Sequence, residues 1–89
     1  MDDEKRRAIS ARLVEQVRLA GAEYHAARAH FTAVVADVPS GLPAPDGAFQ
    51  VQRAGEESRR SQQKYMVALR QLSDFTLRGI VPTEDQERS

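Results

Sequence analysis

Apolar and small residues repeat at alternating intervals of three and four in two stretches of the chain, Val17 to Val38 and Val51 to Gly79. This spacing is typical of a helix that packs against another helix along one stripe. Counting Val17 and Val51 as heptad position a, both stretches keep the same a and d pattern throughout. The sequence therefore predicts an all-α fold built from two long helices.

A segment rich in proline and glycine separates the two stretches, so we expect an antiparallel helical hairpin. The predicted first helix covers about 3–38, the loop covers 39–46 and the second helix covers about 47–78. These elements make one domain, 1–82. The acidic segment 83–89 has nothing to bury, and we expect it to be a disordered tail.

The helix ends are predicted from residues with special backbone chemistry. Pro39 ends the first helix, because proline disfavours the helical conformation in the residue before it. Asp46 is the expected N-cap of the second helix. Gly79 is the expected C′ residue of a Schellman cap, in which Ile80 would pack back on Phe75.

Folding the chain at this loop pairs positions whose numbers sum to about 86 to 89. Large residues then face small ones, as close packing requires. Gly21 falls near Tyr65 and Gly55 falls opposite Phe31. Each glycine either makes room for the aromatic ring across the interface or is a tolerated surface glycine. Tyr24 and Tyr65 are also spaced for an aromatic pair between the helices.

Two helices alone leave the flanks of each a and d side chain open to water. Val14, Val35, Leu69 and Thr76 at e positions widen the apolar stripe to the width typical of a bundle. We therefore expect a second copy to cover the hairpin and complete a four-helix bundle homodimer. The predicted core and dimer interface consists of Leu13, Val17, Tyr24, Phe31, Val34, Tyr65, Leu69, Leu72 and Phe75.

A second stripe of small residues follows the opposite side of the first helix. Its alanines allow close approach of another helix, which makes the stripe a candidate interface for a partner protein. Alanine is also the best helix former on a solvated surface, so a solvent face is the alternative. The stripe consists of Ala22, Ala26, Ala29, Ala33 and Ala36.

Composition narrows the function classes. The 89 residues carry 13 basic and 13 acidic side chains, so no net charge attracts nucleic acid or a membrane surface. The absence of cysteine excludes disulfides and thiol chemistry. No stretch is long and apolar enough to span a membrane, and the acidic start does not resemble a signal peptide, so we expect a cytoplasmic protein. Abundant arginine and alanine are typical of GC-rich bacterial genomes.

The chemistry-bearing residues do not form a recognisable catalytic or metal-binding pattern. His25 and His30 are five positions apart, whereas three or four would direct both at one metal. No phosphate-binding glycine loop is present, and no histidine is expected beside the serines. We predict a non-enzymatic protein without a cofactor or metal.

One basic cluster leaves a second function open. Four cations of the second helix, doubled in a dimer, would form a surface for phosphates. Glu56 and Glu57 lie among them and favour a solvated, salt-bridged face instead. The nucleic-acid candidates are Arg53, Arg59, Arg60 and Lys64.

The sequence thus predicts a small homo-oligomeric helical module that binds proteins, itself first and another helical protein second. Nucleic-acid binding by a hairpin dimer is the alternative, and no membrane contact is expected. No internal repeat is evident in the chain.

Overall fold

The computed structural model describes residues 2–37 and 44–82. It contains two helices, α1 (Asp3–Asp37) and α2 (Ala44–Arg78), which pack against each other along their length. The hairpin measures 61 × 19 × 18 Å, so it is a rod two helices wide. The predicted all-α fold of two long packed helices is confirmed, and the predicted tail at 83–89 lies outside the described residues.

Asp2 sets the start of α1. Its side-chain Oδ1 accepts a hydrogen bond of 2.7 Å from the Lys5 N–H, and its carbonyl accepts the first helical bond from the Arg6 N–H. This arrangement satisfies one of the amides that have no acceptor inside the helix. Asp2 is therefore the N-cap.

α2 begins at Ala44, three residues before the predicted start. Pro45 thus lies in its first turn, where a missing N–H costs nothing because that amide has no acceptor within the helix. The proline that we assigned to the loop is compatible with helix for this reason. The prediction of Asp46 as the N-cap is therefore wrong, because Asp46 is the third residue of α2.

The predicted Schellman geometry at the end of α2 is wrong, although Gly79 is the capping residue. Gly79 has φ of 70°, and its N–H donates to the Phe75 carbonyl at 3.0 Å. The Ile80 N–H donates to Asp74, not to Phe75 as a Schellman motif requires. α2 therefore ends in an αL cap, in which glycine adopts the left-handed conformation at no steric cost.

The residue that packs back on the core is Val81, not Ile80 as predicted. Ile80 is half exposed, whereas Val81 contacts the cluster formed by Ile9, Leu13 and Phe75 at the open end of the hairpin. The different cap explains this result, because it turns Ile80 outward and brings the next side chain over the helix ends. Leu13, exposed to 1%, is the most deeply buried large side chain of the described residues.

Alanines provide the burial away from this end. Ala20, Ala54 and Ala68 are buried, while the larger a-position residues around them are only partly covered. Small contact residues let the helix backbones approach closely but remove little apolar surface from water. The hairpin therefore has a compact core at one end and a thin interface elsewhere. Among the described residues, neither helix contains an apolar segment sufficient to cross a membrane.

Candidate protein-interaction surfaces

Two aromatic rings fix the register of the hairpin by lying against glycines. A Cβ added to Gly21 would meet the Tyr65 ring at 3.2 Å, and one added to Gly55 would meet the Phe31 ring at 3.4 Å. The predicted contact with a ring is confirmed at both glycines, but only at Gly21 would a Cβ press against the ring. Each ring therefore covers helix backbone directly.

Tyr24 joins one of these contacts. Its ring stacks on Tyr65 with 5.9 Å between centroids and an angle of 26° between planes, which confirms the predicted pair. The Tyr24 hydroxyl accepts a 3.0 Å hydrogen bond from Arg28 Nη1, and His25 lies 5.8 Å away ring to ring. The two tyrosines and Arg28 thus form one connected group on the surface.

The two glycine contacts reveal an internal repeat, so the interpretation of the sequence as free of repeats is wrong. Gln16, Val17, Ala20, Gly21 and Glu23 recur 34 positions later as Gln50, Val51, Ala54, Gly55 and Glu57, and Phe31 recurs as Tyr65. Because the two helices run in opposite directions, this offset relates them by an approximate two-fold axis perpendicular to the plane of the hairpin. The axis exchanges the contact of Gly21 with Tyr65 and the contact of Gly55 with Phe31. The signal was available in the sequence, but only five of eight positions are identical and the flanking residues differ.

A flank that carries both charge signs runs along one side of the helix interface. Glu23 and Lys64, both at g positions, form a salt bridge of 3.2 Å across it. We call the surface formed by g and c positions the mixed-charge flank. Here a groove contains two half-exposed apolar side chains, Leu19 (49%) and Val67 (51%).

The same flank continues toward the loop with acids and bases in alternation. One depression is lined by Glu23, Glu57, Arg60 and Lys64, and the next by His30, Glu57 and Arg53. Neighbouring charges of opposite sign let such a surface pair with a copy of itself.

The opposite side of the interface is formed by e and b positions, where Gly21 and Gly55 lie. Between residues 7 and 35 and between 48 and 76 these positions hold no Asp or Glu. Their charged residues are four exposed arginines, and we call this surface the arginine flank. It carries Arg7, Arg18, Arg28 and Arg59.

Apolar side chains lie between these arginines. Val14 is 52% exposed and Met66 is 56% exposed, and Val35 is also well exposed. Leu69, at an e position of α2, is partly covered. The arginine flank therefore carries an apolar strip with three arginines on α1 and one on α2.

One of the four arginines is already paired. Two guanidinium nitrogens of Arg18, Nε and Nη2, donate to the Glu15 carboxylate one turn away, and this hydrogen bonding lowers the pKa of Glu15 and raises that of Arg18. Glu15 lies at an f position, on the outer surface of α1. Even with Glu15 included, the arginine flank remains basic.

The predicted interface residues divide by burial. Leu13 and Phe75 are buried at the open end of the hairpin. The others line the helix interface and keep part of their surface exposed: Val17, Tyr24, Phe31, Val34, Tyr65, Leu69 and Leu72. The alanines of the candidate second interface, Ala22, Ala26, Ala29, Ala33 and Ala36, are all exposed.

The four nucleic-acid candidates do not share one surface. Arg53, Arg60 and Lys64 lie on the mixed-charge flank beside Glu23 and Glu57. Arg59 occupies a b position and belongs to the arginine flank. All four side chains are exposed.

No metal site is evident in the part of the chain that the structure describes. His25 contacts Tyr24, and His30 lies in the depression with Glu57 and Arg53. Within residues 2–37 and 44–82, no group of three or more His, Asp or Glu side chains is placed to hold a metal ion.

No protein-family model matches the chain, and no curated protein or solved structure is significantly similar to it.

Proposed function

We propose that this protein is a non-enzymatic interaction module that works as a homodimer, with two hairpins forming a four-helix bundle. The observation that carries the proposal is the thin interface of the single hairpin. Away from its open end, alanines supply the burial, and large apolar side chains on both flanks stay half exposed. A chain of this size buries only about 60–65% of the surface that its unfolded form exposes, less than a larger domain does, so association is the available source of further burial.

Charge favours the mixed-charge flank as the dimer interface. Two copies that met through their arginine flanks would place arginines against arginines, which is unfavourable. Two mixed-charge flanks bring Glu23 and Glu57 within reach of the partner's basic residues. They also cover Leu19 and Val67 from each copy.

The dimensions fit such an interface. A face of 61 by 19 Å has a projected area of about 1,160 Å², above the roughly 800 Å² per partner that stable complexes bury. Covering four half-exposed side chains, Leu19 and Val67 from each copy, contributes about 1 kcal/mol apiece. Their combined loss corresponds to roughly a thousandfold in Kd.

Two matched double variants test the proposal. Leu19→Gln with Val67→Gln alters the mixed-charge flank, and Val14→Gln with Met66→Gln alters the arginine flank at residues of nearly equal exposure. Light scattering after size-exclusion chromatography should show a wild-type dimer, a monomeric first variant and a dimeric control. A monomeric wild type would refute the dimer. Dissociation of the control alone would place the dimer interface on the arginine flank.

Nucleic-acid binding makes a different prediction for the same protein. It requires affinity for RNA or DNA that falls steeply with salt and is lost in Arg59→Ala with Arg60→Ala. We expect neither effect, because Arg60 lies beside Glu57 and on a different flank from Arg59. Binding with both properties would replace the interaction module as the function.

A further inference from the structure

The arginine flank differs in charge from the rest of the molecule. The chain as a whole is neutral, yet all the charged residues at e and b positions between 7 and 35 and between 48 and 76 are arginines. The acids of the same segments lie at f, g and c positions. This separation of charge makes one long side of the rod complementary to an acidic partner.

The apolar strip indicates that an acidic partner would also present apolar side chains to this flank. Val14, Val35 and Met66 are exposed on this flank, and Val14 and Val35 lie about 32 Å apart along α1 at 1.5 Å per residue. A helix with apolar residues at three- and four-residue intervals presents a matching row of apolar side chains to such a strip. Methionine suits this role because its flexible side chain adapts to the surface it meets.

The aromatic residues on this flank favour a protein over a nucleic acid. Base stacking requires an open ring face, but Tyr24 and Tyr65 stack on each other and Tyr65 also lies against Gly21. The Tyr24 hydroxyl is engaged by Arg28. The edges of these rings therefore add apolar surface to the strip, and their faces are not open for stacking with nucleic-acid bases.

We propose that the arginine flank binds an amphipathic helix of another protein, with apolar residues on its contact face and Glu or Asp along both edges. The inference rests on the proposed interaction function and names the partner of the flank that the dimer leaves open. Arg28 and Arg59 are the central basic contacts, because their positions place them at the same level of the hairpin on either side of the strip. Both are exposed in the hairpin.

A designed peptide of three heptads tests this proposal with the full chain. The probe has Leu at a and d, Glu at e and g, and Ala or Gln elsewhere, so repulsion between its glutamates opposes self-association. The control peptide has Lys in place of every Glu. Fluorescence anisotropy at low salt should show binding of the Glu peptide and at least about tenfold weaker binding of the Lys peptide.

Matched charge reversals locate the site. Arg28→Glu with Arg59→Glu should weaken the Glu peptide at least about tenfold, whereas Arg53→Glu with Arg60→Glu, the same charge change on the mixed-charge flank, should alter it less than about threefold. Met66→Gln should weaken binding and Val67→Gln should not. Circular dichroism checks that each variant is helical, and Arg28→Gln with Arg59→Gln serves in place of the reversal if that variant unfolds.

Other results would overturn the inference. An equal loss of affinity for the Glu peptide in both charge-reversal variants would mean that the overall charge of the protein, and not this flank, determines binding. Equal affinity for the Glu and Lys peptides would mean that binding does not depend on the charge of the peptide. The flank would instead be assigned to nucleic acid if the protein bound oligouridine more tightly than the Glu peptide and lost that binding in Arg28→Glu with Arg59→Glu. Sedimentation of the same variants separates this test from that of the dimer, since peptide binding should survive in Leu19→Gln with Val67→Gln.

Discussion

The two interhelical glycines should respond differently to alanine. Alanine is favoured over glycine inside a helix by about 1 kcal/mol, so Gly55→Ala and Gly21→Ala gain the same intrinsic term. A Cβ at position 55 would meet the Phe31 ring at 3.4 Å, which is close to an ordinary contact. We therefore expect Gly55→Ala to stabilise the protein by about 0.5 to 1 kcal/mol.

Gly21→Ala should gain less or lose stability. Its Cβ would lie 3.2 Å from Tyr65 Cε1, and the Tyr65 ring is held from its other side by Tyr24 at 5.9 Å between centroids. The ring must shift by a few tenths of an ångström, and that shift disturbs the stack. Overpacking of this kind commonly costs about 1 kcal/mol or more, which offsets the helical gain.

Thermal unfolding followed by circular dichroism measures the difference. A gain near 1 kcal/mol corresponds to a rise in Tm of about 4 to 8 °C for a chain of this size. All variants need the same protein concentration, because association changes Tm. In a Tyr65→Leu background the penalty at position 21 should disappear. Equal Tm changes for both glycine variants would refute the tighter contact assigned to Gly21 and Tyr65.

Four further predictions concern the helix ends and the core. Asp2→Ala should cost about 1 kcal/mol in chemical denaturation, because the Lys5 amide loses its acceptor. Gly79→Ala should cost about 1 to 2 kcal/mol, because φ of 70° strains an L-residue. Val81→Ala should destabilise more than Ile80→Ala, since Val81 packs on the core cluster and Ile80 does not. Leu13→Ala should cost about 2 to 5 kcal/mol and melt the open end first, which hydrogen exchange would detect.

Periodicity predicted the fold because the apolar stripe is the dominant physical constraint on a long amphipathic helix. The pairing of Gly21 with Tyr65 and of Gly55 with Phe31 followed from loop position and complementary size alone. The start of α2 was missed because proline signals both a loop and the first turn of a helix. Proline is accepted in the first turn because the amides there have no acceptor within the helix, and the sequence alone does not show which residues form that turn.

The end of α2 needed coordinates, whereas the two flanks follow from heptad positions that the sequence already contains. A glycine after a helix predicts a left-handed cap, but the choice between cap types depends on how the following residues pack, here Val81 against the buried cluster at the open end. Charge counting along the sequence placed Arg59 and Arg60 in one cluster. In the structure, adjacent helix positions diverge by about 100°, so these two residues belong to different flanks.

The central claim is that a single hairpin leaves too much apolar surface exposed to be stable alone. Sedimentation equilibrium combined with far-ultraviolet circular dichroism, over dilution from micromolar to nanomolar concentration, tests it most directly. We expect a helical species of twice the chain mass that loses helicity as it dissociates. A monomer that stays fully helical and melts cooperatively at the lowest concentration would contradict the claim.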